Sequence, residues 1–130
     1  MKLKIINSLR TNNFNDDLLL ERIKELWQQA SPGLANKITY AVYHNYESDY
    51  KGDYSLSITV EDDDGLQSLE IPNFAKYDVF SVDTTVEHGV LNTWKEIWAR
   101  EDAGALERAY SFDFEKYYPN GEIEVYIALR

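Results

Sequence analysis

A chain of 130 residues is the size of one ordinary domain, long enough to bury a core without metals or disulfides, and a single core is expected. With no cysteine and only two histidines, His44 and His88, there is no disulfide framework or thiolate and little to hold zinc, so neither a metal nor a cofactor is expected. Twenty-three acids against thirteen bases give a net charge of −10, which favours solubility, draws in cations, and argues against a direct nucleic-acid partner.

In chain order, Lys2–Leu9 reads as a strand, with Leu3 and Ile5 on one face by alternation. The polar TNNFNDD follows, where Asn13 or Asn15 can cap a helix carrying Leu19, Ile23, Leu26, Trp27 and Ala30 at helical spacing until SPG at 31–33. Residues 38–47 and 54–60 are β-rich runs, read as a hairpin with Gly52 in its turn, and EDDDG at 61–65 reads as a solvated loop. The acidic run lacks EF-hand spacing, so calcium is not its expected ligand. A second cycle follows: a strand over 77–85, a helix over about 87–101 carrying Val90, Leu91, Trp94, Ile97 and Trp98, and a hairpin of 109–117 with 123–129. The turn of that hairpin is PNG, whose Asn and Gly tolerate positive φ. MKLKIINSLR is too short an apolar run for a signal peptide, and no segment approaches the roughly 20 apolar residues of a membrane span. A cytoplasmic location with no membrane partner is expected.

The two cycles share the order β-α-β-β, and RIKELW at 22–27 is similar to TWKEIW at 93–98, the pattern of an internal duplication with pseudo-repeats 1–62 and 70–130. Sliding YESDY at 46–50 onto FEKYY at 114–118 makes Glu47 the counterpart of Glu115. The expected fold class is α+β: tandem β-α-β-β units in one antiparallel sheet, both helices on one face, and a groove between the halves. Alternation sends Tyr110, Phe112 and Phe114 under the helices, and gathers Glu115, Tyr117 and Tyr126 on the opposite face.

A carboxylate among rings suits an organic cation, because ring faces attract positive charge and the acid supplies a full one where water is partly excluded. Two plainer readings of Glu115 stand beside it: a solvent-facing strand residue, or a structural pair with Lys116 or Arg108. Trp27, Trp94 and Trp98 lie on core-facing stripes, and only Trp94 is kept as a cavity liner. His44 and His88 have no serine or acid at a catalytic spacing, the six glycines form no phosphate cradle, and no basic patch offers itself to nucleic acid.

With IP at 71–72, YDVF at 77–80, WKEIW at 94–98, RAYSFDFEKYY at 108–118 and a closing VYIAL, the chain resembles the GyrI-like effector-binding domains. RTNN at 10–13, LW at 26–27 and YAVYHNYESDYKGDYS at 40–55 make it similar to their stand-alone, integron-cassette-associated branch. The resemblance covers nearly all of residues 1–130 and implies a single effector-binding domain for cationic, amphipathic or aromatic small molecules. It places the ligand glutamate on Glu115, its aromatic neighbour on Tyr117, and a further ring on Tyr126. Tyr43 and Tyr46 occupy the corresponding strand of the first half. Where the family has a small residue this chain has Asp78, with Phe80 on the same side. The chain has no room for a helix-turn-helix, so any role in transcription calls for a separate DNA-binding regulator. The alternatives are a hydrolase of reactive natural products using Glu115 as general base with a tyrosine as acid, and a protein-interaction module with a vestigial groove.

Overall fold

The computed structural model describes residues 1–61, 68–72 and 75–130. The acidic loop expected at 61–65 lies, past Glu61, outside the described residues. In chain order the elements are β1 (Lys2–Thr11), α1 (Leu19–Ala30), a 3-10 turn (Ser31–Gly33), β2 (Thr39–His44), β3 (Tyr54–Glu61), β4 (Ser68–Glu70), β5 (Tyr77–Ser81), α2 (Gly89–Asp102), β6 (Asp113–Tyr117) and β7 (Ile123–Ala128). They form one seven-stranded antiparallel sheet in the order β4-β1-β3-β2-β6-β7-β5. Apart from β4 the order is pseudo-symmetric, β1-β3-β2 against β5-β7-β6. The β2–β6 ladder is the seam.

Local chemistry sets the ends of these elements. Neither Asn13 nor Asn15 caps α1, which starts at Leu19 without a side-chain cap on Leu18. Asn12 instead accepts from the Phe14 and Asn15 amides, and Asp16 accepts from the Leu18 amide. Strand β5 stops at Ser81, and Asp83 then accepts from the Thr85 amide and hydroxyl. At the PNG turn Gly121 has φ +95°, and its amide donates to the Tyr118 carbonyl.

The clusters of buried side chains divide by sheet face. Leu26 and Ala30 of α1 pack on Ala41, Leu56 and Ile58, while Trp94 and Ile97 of α2 pack on Phe80, Val125 and Ile127. The third cluster, Leu3, Tyr40, Val42, Ile71 and Phe114 with Tyr77 and Tyr126 beside it, contains no helix residue and covers the other face. A flat seven-stranded sheet would be about 29 Å wide. The seven Cα steps from Glu70 to Tyr77, on opposite edges, reach at most about 25 Å. The sheet must therefore curl around its helix-free face, which is why Leu69 and Tyr77 share one cluster.

This arrangement overturns the facing expected for β6. Phe114 pairs with Tyr126 and stacks on it at 4.7 Å on the helix-free face, while Glu115 pairs with Val125 and Ala41, both under the helices. Alternation holds within β6, with Asp113, Glu115 and Tyr117 on one side, but that side is the helix side. The expected run from 109 also fails: Tyr110 has φ +54°, and regular pairing begins only at Asp113. Asp113 Oδ1 accepts the Ala128 amide at 2.8 Å where the ladder is interrupted. Glu47 lies exposed beyond the end of β2 and is no structural counterpart of Glu115.

Candidate functional site

Between α1, α2 and the sheet lies a cavity of about 490 Å³. Its floor is the helix side of β2 and β6, which brings Tyr43, Glu115 and Tyr117 together. Glu115 is 3% exposed, yet it is well supplied with donors. The Tyr43 hydroxyl and the Trp94 indole N–H both donate to Oε2 at 2.7 Å, and the Tyr117 hydroxyl donates to Oε1 at 2.6 Å. These donors satisfy a buried carboxylate without neutralising it. Among the described residues no basic group pairs with Glu115: Arg108 goes to Asp113 and Glu101, and Lys116 lies over Tyr40, Tyr118 and Tyr126.

Burial, reinforced by the Glu115 charge, holds the Tyr43 and Tyr117 hydroxyls well above the ordinary phenol range, so both stay protonated and donate. Tyr54 is raised by the same two causes, and its hydroxyl donates to Asn13 at 2.6 Å. Rings complete the walls. Tyr43 lies 5.0 Å from Trp94, Trp27 meets Tyr117 edge-on at 4.9 Å, and Tyr50 stacks on Trp98 at 5.4 Å. Phe14 packs beside that stack, 5.8 Å from Trp98, and remains largely exposed at the rim.

A second buried carboxylate sits two residues away. Asp113 accepts from Arg108 Nη2 at 2.8 Å and from the Tyr46 hydroxyl at 2.6 Å, and Arg108 lies over the Tyr110 ring at 4.3 Å. Of the residues singled out in the sequence, Glu115, Tyr117, Tyr43, Tyr46 and Trp94 line this one cavity. Tyr43 and Tyr46 both reach it without a bulge in β2, because that strand ends at His44 and Tyr46 follows the positive-φ Asn45.

Two of the expected residues stand elsewhere. Tyr126 is on the helix-free face, stacked on Phe114. Phe80 is on the helix side, but it is buried in the α2 core outside the cavity wall. Sequence reasoning missed Trp27, Trp98, Tyr50, Tyr54, His88 and Arg108. The duplicated helix motif held a signal for the two indoles, since equivalent stripes of paired helices face a shared seam. Among the described residues no cluster of three or more His, Asp or Glu could hold a metal, and no helix is long and apolar enough to cross a membrane.

A pseudo-symmetric α+β sheet with a ring-lined cavity between its helices has the architecture of an effector-binding, ligand-binding protein. The chain belongs to the integron-associated effector binding protein family, whose model matches residues 5–129. It is 31% identical over 145 residues to YobU of Bacillus subtilis (strain 168), named a "putative transcriptional regulator protein", an alignment spanning 95% of this chain and 89% of that one. It is also similar to the crystal structure of integron cassette protein VCH_CASS2 from the mobile metagenome of Vibrio cholerae, with a TM-score of 0.78 and 28% identity. That match covers 100% of this chain and 90% of the other.

Proposed function

We propose that the cavity takes up a cationic small molecule with an aromatic or amphipathic body, and that Glu115 neutralises its charge. The observation that carries this reading is a buried carboxylate hydrogen-bonded by Tyr43, Trp94 and Tyr117 but paired with no base among the described residues. A desolvated cation–π contact contributes about 2 kcal/mol. Two or three such contacts with one charge pair reach the roughly 8 kcal/mol of micromolar affinity. The likeness to YobU supports a role in regulation, with occupancy read by a separate DNA-binding partner.

Fluorescence titration of a cationic rhodamine tests the charge. Glu115→Gln keeps the shape and removes the anion, so affinity falls by at least about tenfold. Equal affinities would remove Glu115 from the role. The hydrolase reading is disfavoured because both Glu115 oxygens already accept hydrogen bonds, and the neighbouring hydroxyls, with raised pKa, are poor acids. An electrophilic aromatic compound is expected back intact by mass spectrometry; turnover would favour the hydrolase. The open volume of the cavity counts against a groove filled by its own side chains.

A further inference from the structure

The cavity wall holds a second charged group whose hydrogen-bonding capacity is mostly unused. Arg108 is 1% exposed in its side chain, and its guanidinium carries five N–H donors. Only Nη2 makes a short bond, 2.8 Å to Asp113 Oδ2. The contacts to Tyr46 Oη and Glu101 Oε1 are at 3.5 Å, and Nε–H has no partner among the described residues. The charge of Arg108 is thus matched by two carboxylates while its donors are not matched by acceptors. A buried guanidinium in that condition calls for an uncharged acceptor.

Its place relative to Glu115 is fixed by β6. Asp113 and Glu115 are two residues apart on the same face, roughly 7 Å along the strand. Trp94 connects the two positions: its N–H donates to Glu115, and Arg108 Cζ lies 5.8 Å from its ring centre. Resting on the reading of the cavity as a cation site, we infer that its ligand is bifunctional. It carries a cationic centre for Glu115 and, roughly 7 Å or more away, a neutral carbonyl or ether oxygen that accepts from Arg108. A ligand carboxylate is disfavoured there, since it would face Asp113 and Glu101 as well as Arg108.

Three dyes with one cationic core isolate the acceptor: tetramethylrosamine, which has no carbonyl, tetramethylrhodamine methyl ester, which has a neutral one, and the free acid. On the wild-type chain the ester binds about tenfold more tightly than the rosamine, the worth of one hydrogen bond to a charged donor, and also more tightly than the acid. Arg108→Lys keeps a cation for Asp113 but loses the fork of donors, so the ester-to-rosamine ratio, whatever the affinity for rosamine itself, falls toward one. An ester no tighter than rosamine, or an acid tighter than the ester, overturns the inference; so does an ester preference that survives in Arg108→Lys. The wild-type comparison stands even if the variant fails to fold. Failure of the cation site itself is distinct: rosamine then binds Glu115→Gln as well as wild type, or neither dye binds.

Discussion

Asp113 shows most directly how the polar layer beneath the cavity is held together. Asp113→Ala removes the acceptor for Arg108 Nη2, the Tyr46 hydroxyl and the Ala128 amide, and leaves the guanidinium with Glu101 at 3.5 Å. Breaking a buried pair from one side costs about 3–5 kcal/mol, and the surviving Glu101 contact places the loss near about 3. That is a large share of the roughly 5–15 kcal/mol by which a domain is stable. An unfolding entropy of about 2.1 cal/mol/K per residue makes each kcal/mol worth about 4 °C in a chain of this length, so the melting temperature falls by about 11 °C. Circular dichroism melts and urea curves with unchanged slope measure it. The paired change Arg108→Met with Asp113→Leu recovers the part of the loss that comes from the stranded guanidinium, while the Tyr46 hydroxyl and the Ala128 amide still lack their acceptor. A single-variant loss below about 1 kcal/mol, or a double variant no better than the single, would refute the argument.

Two further outcomes follow from the other face of the sheet. His44 is 7% exposed, contacts Ser57 Oγ at 2.8 Å and stacks on Phe112, and burial, then the charge of Arg10, lowers its pKa. The unfolded chain then binds a proton near pH 6.5 that the folded chain resists, so stability is level above about pH 7 and declines as pH falls. Urea midpoints at pH 7.5 and 5.5 measure the decline, which His44→Gln flattens; an equal decline in the variant would refute it. Tyr126→Phe keeps the stack on Phe114 and removes one hydroxyl from the helix-free face, so dye affinity stays within about twofold and stability within about 1 kcal/mol. A loss of affinity comparable to that of Glu115→Gln would return Tyr126 to the site.

The order of elements was legible because helical and strand periods differ plainly in this chain. The 3.6-residue stripes of α1 and α2 and the PNG hairpin left little choice, and the resemblance to the effector-binding family supplied Glu115 and Tyr117. Which face of β6 meets the helices was not legible. Alternation separates residues 113, 115 and 117 from 112 and 114 but does not say which set lies under a helix. The usual assignment, apolar set inward, fails here for two reasons. Curling buries Phe114 and Tyr40 without helices, and the space between the helices is a cavity with a polar floor. Tyr110 concealed the break before β6, because nothing in an aromatic side chain announces positive φ. Tyr126 does lie on the face expected of it, opposite the helices, and leaves the site only because Glu115 and Tyr117 face the helices instead.

The two pseudo-symmetric halves of the sheet contribute unequally to the cavity. The first half supplies Tyr43, Trp27 and Tyr54, while the second supplies Glu115, Arg108 and Trp94. The positions of β2 that face the helices, Thr39, Ala41 and Tyr43, include no acid. Glu115 therefore depends on both halves, drawing Tyr43 across the β2–β6 seam and Trp94 and Tyr117 from its own side. Opening that ladder would separate the carboxylate from one of its donors and dismantle the cavity. A ligand at 100 times its dissociation constant raises the free energy of any such opening by about 2.7 kcal/mol. Fraying at the sheet edges leaves the cavity intact and is unaffected. Amide exchange in β2 and β6 should accordingly slow on dye binding by up to about a hundredfold, while β4 exchanges at its unliganded rate. Equal slowing along β4 and the seam would mean that the halves separate only by global unfolding, and the proposed opening would be wrong.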